Sequence, residues 1–221
     1  TGAFGQLGHA LQSVLSKKGN YELICTGRKV KKGQEVIPLD IRNQVALKEL
    51  INTTAPDILI NLAAMTNVDA CELNPKLAGE INVAGLQHIC DSFKGKIIHL
   101  STDYVFDGTS GPYKEEDPIN PISIYGKTKL ASEHILLEKD IKNLVIRGNV
   151  LYDYSPHTSA SFLNWVVSSL KDNQEIKVVK DQFNNPTWTR SMSDIIKLSI
   201  ENDLEGIIHW GDSEHISRFE F

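Results

Sequence analysis

An apolar run that turns abruptly polar is followed, further along the chain, by a tyrosine and a lysine four residues apart. The run spans residues 96–108, and its polar half contains Thr102 and Asp103. Ligands of open α/β sheets bind outside the carboxyl ends of the strands, so we expect these side chains at the mouth of a cleft. Tyr125 and Lys129 would share one face of a helix. A hydroxyl, a phenol and a cation in one cleft predict a site for proton transfer.

The start of the chain is rich in glycine. Gly2, Gly5 and Gly8 are spaced by three residues and precede a predicted helix over residues 9–18. Glycine permits a tight turn and lets a pyrophosphate approach the free N–H groups at the positive end of a helix. A plain strand–helix turn matches the same pattern, which is weak evidence when taken alone. The residues of this turn predicted to contact a dinucleotide are Gly2, Phe4, Gly5, Gln6 and Leu7.

The region after the second predicted strand, residues 21–25, bears on the choice of cofactor. An NAD-preferring enzyme usually places an acidic residue about 20 residues beyond the glycine turn. Arg28 and Lys29 occupy that region here. A cation favours a 2′-phosphate, so NADP(H) is predicted, with NAD(H) as the alternative. A solvated basic loop is an equally open interpretation of the same residues.

Two further strand ends are predicted to meet the cofactor. Asp40 and Ile41 follow a short strand over residues 36–39 and could meet the adenine. Ala63 and Ala64 follow the strand 57–62, and their small side chains would let a flat cofactor lie close.

Strand and helix patterns alternate along the chain, which predicts an α/β fold with a parallel, doubly wound sheet of the Rossmann type. Residues 1–150 form the predicted dinucleotide-binding domain. Residues 151–221 are expected to begin a smaller substrate-binding lobe, with segments that return to the Rossmann domain. The chain starts within the glycine turn and stops in an apparent helix start, so we expect the first strand and part of the lobe to be missing.

Asn82 is interpreted as a buried hydrogen-bonding residue. The other predicted helices are 44–52, 76–93, 121–138, 162–170 and 193–202, the other strands 144–147, 176–179 and 206–210, and the irregular segments 108–120, 151–161 and 181–187.

Composition excludes several function classes. The 221 residues carry a formal charge of −5 and a pI near 5.8, which gives no support to a nucleic-acid partner. No apolar run is long enough to cross a bilayer, and three widely spaced cysteines indicate reduced thiols in the cytoplasm. The absence of a Cys-x-x-Cys motif and of paired histidines predicts no metal site.

Taken together, these motifs resemble those of an extended short-chain dehydrogenase/reductase, and within that group the dTDP-4-dehydrorhamnose reductases. The similarity covers essentially the whole chain. The stretches that carry it are the glycine turn 1–8, the Ser-Thr-Asp-Tyr-Val-Phe-Asp-Gly run 101–108 and Tyr125-x-x-x-Lys129, supported by 61–64 with 68–69, 181–182 with 186–187, 206–209 and 217–220.

The resemblance implies NADPH-dependent reduction of the 4-keto group of a nucleotide-linked deoxysugar, as in dTDP-rhamnose biosynthesis. The catalytic residues would be Thr102, Tyr125 and Lys129, and the last two would also contact the cofactor. Tyr125 would act as general acid, with the Lys129 cation lowering its pKa. The resemblance also leaves a homodimer open.

Departures from the family pattern leave alternatives open. The segment after Arg147 lacks the tryptophan expected of rhamnose-pathway enzymes, so the sugar is not fixed. Asp103 is followed by Tyr104, whereas related dehydratases have Asp-Glu, so elimination is disfavoured; an epimerase that uses the same three residues remains open. Some relatives bind NADP and a partner protein without obvious turnover, as does the regulatory subunit of methionine adenosyltransferase. That role is the alternative from a different class.

Overall fold

A four-stranded parallel sheet forms the centre of the protein, seen in a computed structural model that describes residues 1–16, 20–28, 36–139, 141–154 and 162–221. In the order in which they lie side by side, its strands are β3 (Ile58–Asn61), β4 (Lys96–Thr102), β5 (Leu144–Gly148) and β9 (Gly206–Trp210). The predicted α/β fold with a parallel sheet is therefore confirmed.

Helices cover both faces of this sheet. One face carries α1 (Gln6–Leu15) and α8 (Thr189–Glu201), which pack against each other. The other carries α2 (Gln44–Thr54), α5 (Gly85–Ser92) and α6 (Ile124–Leu137). This arrangement is a doubly wound sheet, with one apolar core on each side.

Alternation along the strands assigns side chains to the two cores. On β4, Ile98 joins the core beneath α1 and α8, whereas Ile97 joins the core beneath α2, α5 and α6. His99 and Ser101 share the strand face of Ile97, because successive strand side chains point to opposite faces. Polar side chains of β4 are thereby directed towards α6.

The beginning of the chain joins two strand edges. The Thr1 ammonium donates to the Ile60 carbonyl at 2.7 Å, and the Ala3 N–H donates to the Thr26 carbonyl at 3.0 Å. Thr26 opens β1 (Thr26–Gly27), which pairs in parallel with β2 (Ile37–Pro38). The glycine turn is consequently held between β3 and β1.

The segment between β3 and β4 is helical in several short pieces. They are α3 (Val68–Leu73), α4 (Pro75–Gly79), a π-helical turn (Glu80–Ala84) and then α5. The prediction of one helix over 76–93 matches the last three pieces, although the π turn interrupts it. The helix α3 was not predicted from the sequence. Asn67 caps its first turn, where its side chain accepts a hydrogen bond from the Ala70 N–H at 2.7 Å.

The last third of the chain contains short strands around α7 (Phe162–Lys171). β6 (Leu151–Tyr152) pairs in parallel with β8 (Thr187–Trp188), and β7 (Phe183–Asn184) pairs antiparallel with β10 (Ile216–Ser217). The predictions of a purely irregular segment over 151–161 and a turn over 181–187 were therefore incomplete. Residues 155–161 lie outside the described part, as do residues 17–18 of the helix predicted over 9–18.

Two predicted strands were wrong. Residues 21–25 are not a strand, because the ladder with β2 starts only where the Ile37 N–H bonds the Cys25 carbonyl at 2.9 Å. Three of the four residues 176–179 are apolar, yet the stretch forms no strand, since no described segment pairs with its backbone. Apolar composition alone could not reveal whether a partner strand lies alongside.

Candidate active site

Thr102 lies at the carboxyl end of β4, where the chain leaves the sheet. Its Oγ1 accepts a bond from the Tyr104 N–H at 3.2 Å and so begins a 3₁₀ turn over Asp103–Val105. The hydroxyl also donates to Asp103 Oδ1 at 3.1 Å. These local bonds fix the orientation of the Thr102 hydroxyl at the edge of the sheet, as the sequence predicted.

Tyr125 reaches the same edge from the first turn of α6. Ser123 caps that helix by accepting a bond from the Gly126 N–H at 3.1 Å. The Tyr125 phenol lies close enough to the Thr102 side chain for that side chain to lower its pKa, and its ring packs edge-on against Tyr104 with centroids 5.7 Å apart. The structure thus brings together the hydroxyl and the phenol that the sequence assigned to proton transfer.

The electrostatics of Tyr125 differ from the expectation. Burial raises the pKa of the phenol above its ordinary value, and the Thr102 hydrogen bond offsets only part of this effect. The expected lowering by the Lys129 cation is not found, because the Lys129 amine is bonded elsewhere. Tyr125 therefore stays protonated at neutral pH, which is the form that a proton donor requires.

Lys129 is buried beneath the site. Its Nζ donates to the Leu100 carbonyl at 2.7 Å and lies 3.0 Å from His99 Nε2. Burial lowers the pKa of this amine to about 7, against the opposing attraction of Glu133. A lysine with this pKa changes its charge in the range in which enzymes usually work.

Asp103 adds an acid to the edge of the cleft. Burial raises the pKa of its carboxyl to about 6, although the Thr102 hydrogen bond and the charge of Arg218 act in the opposite direction. Arg218 also acts on Tyr104, where it offsets part of the rise in the phenol pKa that burial causes. Residues from the end of the chain thus contribute charge to the site formed by β4 and α6.

The glycine turn has the shape needed to hold a diphosphate. Gly2 has φ +74°, and a Cβ there would lie 2.7 Å from the Leu62 carbonyl carbon. Gly5 caps α1 without a side-chain bond, which leaves the first N–H groups of the helix available to an anion. Gln6 Nε2 is buried with no partner among the described residues. A cradle without side chains and an unused donor fit a dinucleotide phosphate.

Arg28 and Asp40 lie close together beyond this turn. Arg28 is exposed, and its charge contributes to the lowering of the pKa of Asp40, of which the Arg42 hydrogen bond is the main cause. A Cβ at Gly27 would lie 2.7 Å from the Phe4 ring, so Phe4 covers the residue before Arg28. This places the cation beside the glycine turn. Lys29, the second cation of the prediction, lies outside the described residues.

The remaining residues predicted to contact the cofactor differ in how much of each residue is accessible to it. Ala63 follows β3 next to the glycine turn, where a Cβ on Gly2 would lie 2.8 Å from its backbone nitrogen. Ala64 follows it and is half-buried. The Ile41 side chain is buried in the core, against Gly85. Only its backbone is left for the predicted contact with the adenine.

Several polar residues behind the site were not among the predicted site residues. Asn61 and His99 come from the sheet, and Ser132 and Glu133 lie on α6. Spacing contained a signal, because positions 125, 129, 132 and 133 fall on one helical face. Glu133 accepts from Ser101 and from Arg147, which lies at 2.8 Å.

Asn82 is a buried hydrogen-bonding residue, as predicted. Its amide pairs with the backbone of Met65 at 2.7 and 3.1 Å and donates to Thr128 Oγ1 at 3.0 Å. Asn82 lies in the π-helical turn, where the extra residue in the turn displaces its position on the helix. It ties the segment after β3 to α6 at Thr128, the residue before Lys129.

A doubly wound sheet with a glycine turn and a Thr–Tyr–Lys group at its carboxyl edge defines an extended short-chain dehydrogenase/reductase fold. A family model described as the RmlD substrate binding domain matches residues 1–221. The chain belongs to this family.

Known proteins similar to the chain carry two kinds of name. A dTDP-4-dehydrorhamnose reductase of Aggregatibacter actinomycetemcomitans is 32% identical, over 100% of this chain and 75% of the relative. A methionine adenosyltransferase 2 subunit beta of Xenopus tropicalis is 30% identical, over 100% of this chain and 68% of the relative.

A solved structure supports the same assignment. The crystal structure of dTDP-4-dehydrorhamnose reductase from Bacillus anthracis, in complex with NADP, has a TM-score of 0.87 and 32% identity. The alignment covers 99% of this chain and 75% of that chain. This similarity extends over the sheet, both helical layers and the short strands that follow.

Proposed function

We propose that this protein uses NADPH to reduce the 4-keto group of a nucleotide-linked deoxysugar, in the manner of a dTDP-4-dehydrorhamnose reductase. The observation that carries the proposal is that the Thr102 and Tyr125 side chains lie next to each other at the carboxyl edge of the sheet. The relatives named dTDP-4-dehydrorhamnose reductase support this reaction. The sugar itself is not fixed, because the segment after Arg147 lacks the expected tryptophan.

The glycine turn and its neighbours would hold NADP(H). Free N–H groups of α1 and the Gln6 amide would bind the diphosphate. Arg28 would pair with the 2′-phosphate, since no acidic side chain replaces it at that position. NAD(H) is the alternative cofactor, and it would lose this charge pairing. The NADP in the similar Bacillus anthracis structure supports the first choice.

The reacting groups would divide the chemistry between them. The nicotinamide supplies the hydride when it is bound. Thr102 would hold the substrate oxygen, and Tyr125 would give its proton to the oxygen as negative charge develops there. The raised pKa of Tyr125 keeps that proton in place before reaction. Lys129 would place a positive charge near the reacting groups and would contact the cofactor.

The substrate lobe is proposed to begin after residue 150, with residues 1–150 as the dinucleotide-binding domain. Arg218, near the end of the chain, interacts with Asp103 and Tyr104 of the β4 edge. This interaction supports the proposal that a segment of the lobe returns to the Rossmann part. A nucleotide sugar is the proposed partner and the cytoplasm the proposed location. No helix in the described ranges has both the length and the apolar character needed to cross a membrane.

Two other functions compete with reduction. Epimerisation would use the same three residues and return the cofactor unchanged. A regulatory subunit would bind NADP and a partner without turnover, a role suggested by the relative named methionine adenosyltransferase 2 subunit beta. Reduction is favoured over epimerisation because a relative named dTDP-4-dehydrorhamnose reductase matches the whole chain at 32% identity. It is favoured over a role without turnover because Thr102 lies next to a protonated Tyr125.

The test is an NADPH-oxidation assay with dTDP-4-keto-6-deoxy sugars and the purified protein, followed by product analysis. Net loss of NADPH with formation of the reduced sugar is the expected result. The matched control is Tyr125→Phe, which should bind NADPH without consuming it. NADPH binding without reduction of any sugar in a broad panel would favour the regulatory role, and inversion without net oxidation would favour epimerisation.

A further inference from the structure

The Lys129 amine points into the protein, where β4 meets α6. The side chain is 2% exposed, and its neighbours are the Leu100 carbonyl and the His99 ring. His99 is 1% exposed and lies between Lys129 and Asn61 of β3. A line of buried polar groups therefore runs from β3 through β4 to the lysine of the proposed site.

Asn61 determines which nitrogen of His99 carries the proton. The Asn61 Oδ1 accepts bonds from Thr1 Oγ1 at 2.8 Å and from the Ala63 N–H at 3.3 Å. Its Nδ2 is thereby directed at His99 Nδ1, 3.1 Å away. An amide nitrogen can only donate, so Nδ1 must accept. The proton of a neutral His99 therefore lies on Nε2.

The Nε2–H group faces two atoms at equal distance. Ser132 Oγ lies 3.0 Å from Nε2 and donates its own proton to the Lys129 carbonyl at 2.6 Å, so it can accept from Nε2. Lys129 Nζ also lies 3.0 Å from Nε2. An ammonium has three protons and no acceptor, whereas a neutral amine has a lone pair. The proton on Nε2 thus disfavours the charged form of Lys129.

We propose that Asn61 and His99 are positioning residues that hold the Lys129 amine against β4 and thereby set the pH above which its cation is lost. The inference rests on the proposed function, because only that function gives Lys129 a part in turnover. Asn61 and His99 touch neither substrate nor cofactor in this scheme. They act through the hydrogen-bond pattern that they impose on Lys129.

The charges around Lys129 agree with this assignment. His99 faces it from β4, and Glu133 lies one turn further along α6, with Arg147 of β5 paired to Glu133 at 2.8 Å. Because Arg147 and Ser101 engage Glu133, its attraction for Lys129 is shared. Tyr125, one turn earlier on α6, stays neutral because burial raises the pKa of its phenol. Burial lowers the pKa of Lys129 to about 7 and that of His99 well below its usual value.

The pH dependence of kcat/KM would reveal this hydrogen-bond arrangement. If turnover needs the Lys129 cation, kcat/KM falls as the pH rises through the pKa of Lys129. Asn61→Asp keeps the shape of the side chain but turns a donor into an acceptor. The carboxylate would draw the His99 proton to Nδ1, and the freed Nε2 lone pair would accept a bond from the Lys129 ammonium. We expect the alkaline limb of the profile to move upward by at least one pH unit.

The matched control is Ser132→Ala, which removes a neighbour of Nε2 without changing the acceptor role of Nδ1. Its alkaline limb should stay within a few tenths of a pH unit of wild type. Equal shifts in both variants would contradict the proposal, because they would reflect loosened packing. The pH dependence of NADPH affinity provides a second measurement of the same limb without turnover.

Two-bond ¹H–¹⁵N NMR of histidine-labelled protein reads the tautomer directly, with His99→Gln used to assign the signal. Wild type should show the proton on Nε2, and Asn61→Asp should show it on Nδ1. A wild-type His99 with its proton on Nδ1, or doubly protonated at neutral pH, would overturn the inference even if every variant failed to fold. Failure to reduce any sugar would refute the proposed function instead, and the NMR and binding results would still decide this inference.

Discussion

Gly126 lies directly against the carbonyl oxygen of Tyr104, with no space for a Cβ between them. The Pro121 side chain closes the same position, since a Cβ on Gly126 would lie 3.1 Å from it. This close approach brings the first turn of α6 onto the turn that follows Thr102. The Tyr125 phenol reaches Thr102 because the residue after it has no side chain.

Gly126→Ala should therefore reduce turnover strongly and destabilise the fold. The methyl group must push α6 away from Tyr104, and overpacking of this kind typically costs ~1–3 kcal/mol. Gly79→Ala is the matched control, because a Cβ there meets nothing within 4 Å in a helical segment. It should be neutral or stabilising by up to ~1 kcal/mol. Urea unfolding and the reductase assay measure both effects; equal behaviour of the two variants would refute the packing argument.

Removal of the proton donor should separate chemistry from binding. Tyr125→Phe deletes the hydroxyl alone, so turnover should fall by ~100- to 10,000-fold while NADPH affinity is kept. Thr102→Val should also lower turnover, because it removes the hydroxyl that lies next to Tyr125 and would hold the substrate oxygen. Steady-state kinetics and NADPH titration provide the two readouts. Near-normal turnover of Tyr125→Phe on a confirmed substrate would mean that the proton comes from elsewhere.

Cofactor choice should depend on Arg28. Arg28→Asp replaces the cation near the glycine turn by an anion, so NADPH affinity should fall more than NADH affinity. Lys142→Asp is a control of the same charge change, since Lys142 precedes β5 at the opposite end of the sheet. Titration of each variant with both cofactors tests this. An equal loss for NADPH and NADH would exclude Arg28 as the contact to the 2′-phosphate.

The buried pair Glu133–Arg147 should be important for stability. The two side chains are 1% and 4% exposed and 2.8 Å apart. Glu133→Gln leaves the Arg147 charge without its partner, which typically costs ~3–5 kcal/mol for a buried pair. Asp194→Asn breaks the Arg190–Asp194 pair on the surface of α8 and should change stability by at most ~0.5 kcal/mol. The free energies of unfolding in urea compare them directly, and similar values for both would disprove the role of burial.

Local spacing was sufficient for the parts of the site that come from single elements. The positions of Tyr125 and Lys129 on one helix and of Thr102 after a strand follow from short stretches of sequence. The direction of the Lys129 amine does not, because His99 lies 30 residues earlier on another element. For the same reason the sequence predicted a lowered pKa for Tyr125, where the structure shows a raised one.

The fold shows the same division between local and distant information. The strands around residues 58–61, 96–102, 144–148 and 206–210 are long or apolar enough to be recognised. The failed strand at 176–179 has similar composition, but its state depends on whether a partner lies alongside. The missed helix α3 is short, and its one local signal was the capping residue Asn67.

Lys129→Met should make the protein more stable near neutral pH while abolishing most activity. In the folded state burial lowers the pKa of Lys129 from 10.5 to about 7, so the unfolded chain binds its proton more tightly. Wild-type stability should consequently rise as the pH increases from about 7 to about 10.5, by at most ~5 kcal/mol from this group. Methionine carries no charge and lacks this dependence.

The difference in unfolding free energy between Lys129→Met and wild type isolates the lysine, since all other titrating groups are common to both proteins. This difference should favour the variant at pH 7 and should shrink towards pH 10. Lys127→Met, an exposed position on the same helix, is the control and should show a difference that does not vary with pH. A pH-independent difference for Lys129→Met would show that the buried amine is charged in the folded protein. NADPH titration of the same variant would show whether the contact between Lys129 and the cofactor is lost as well.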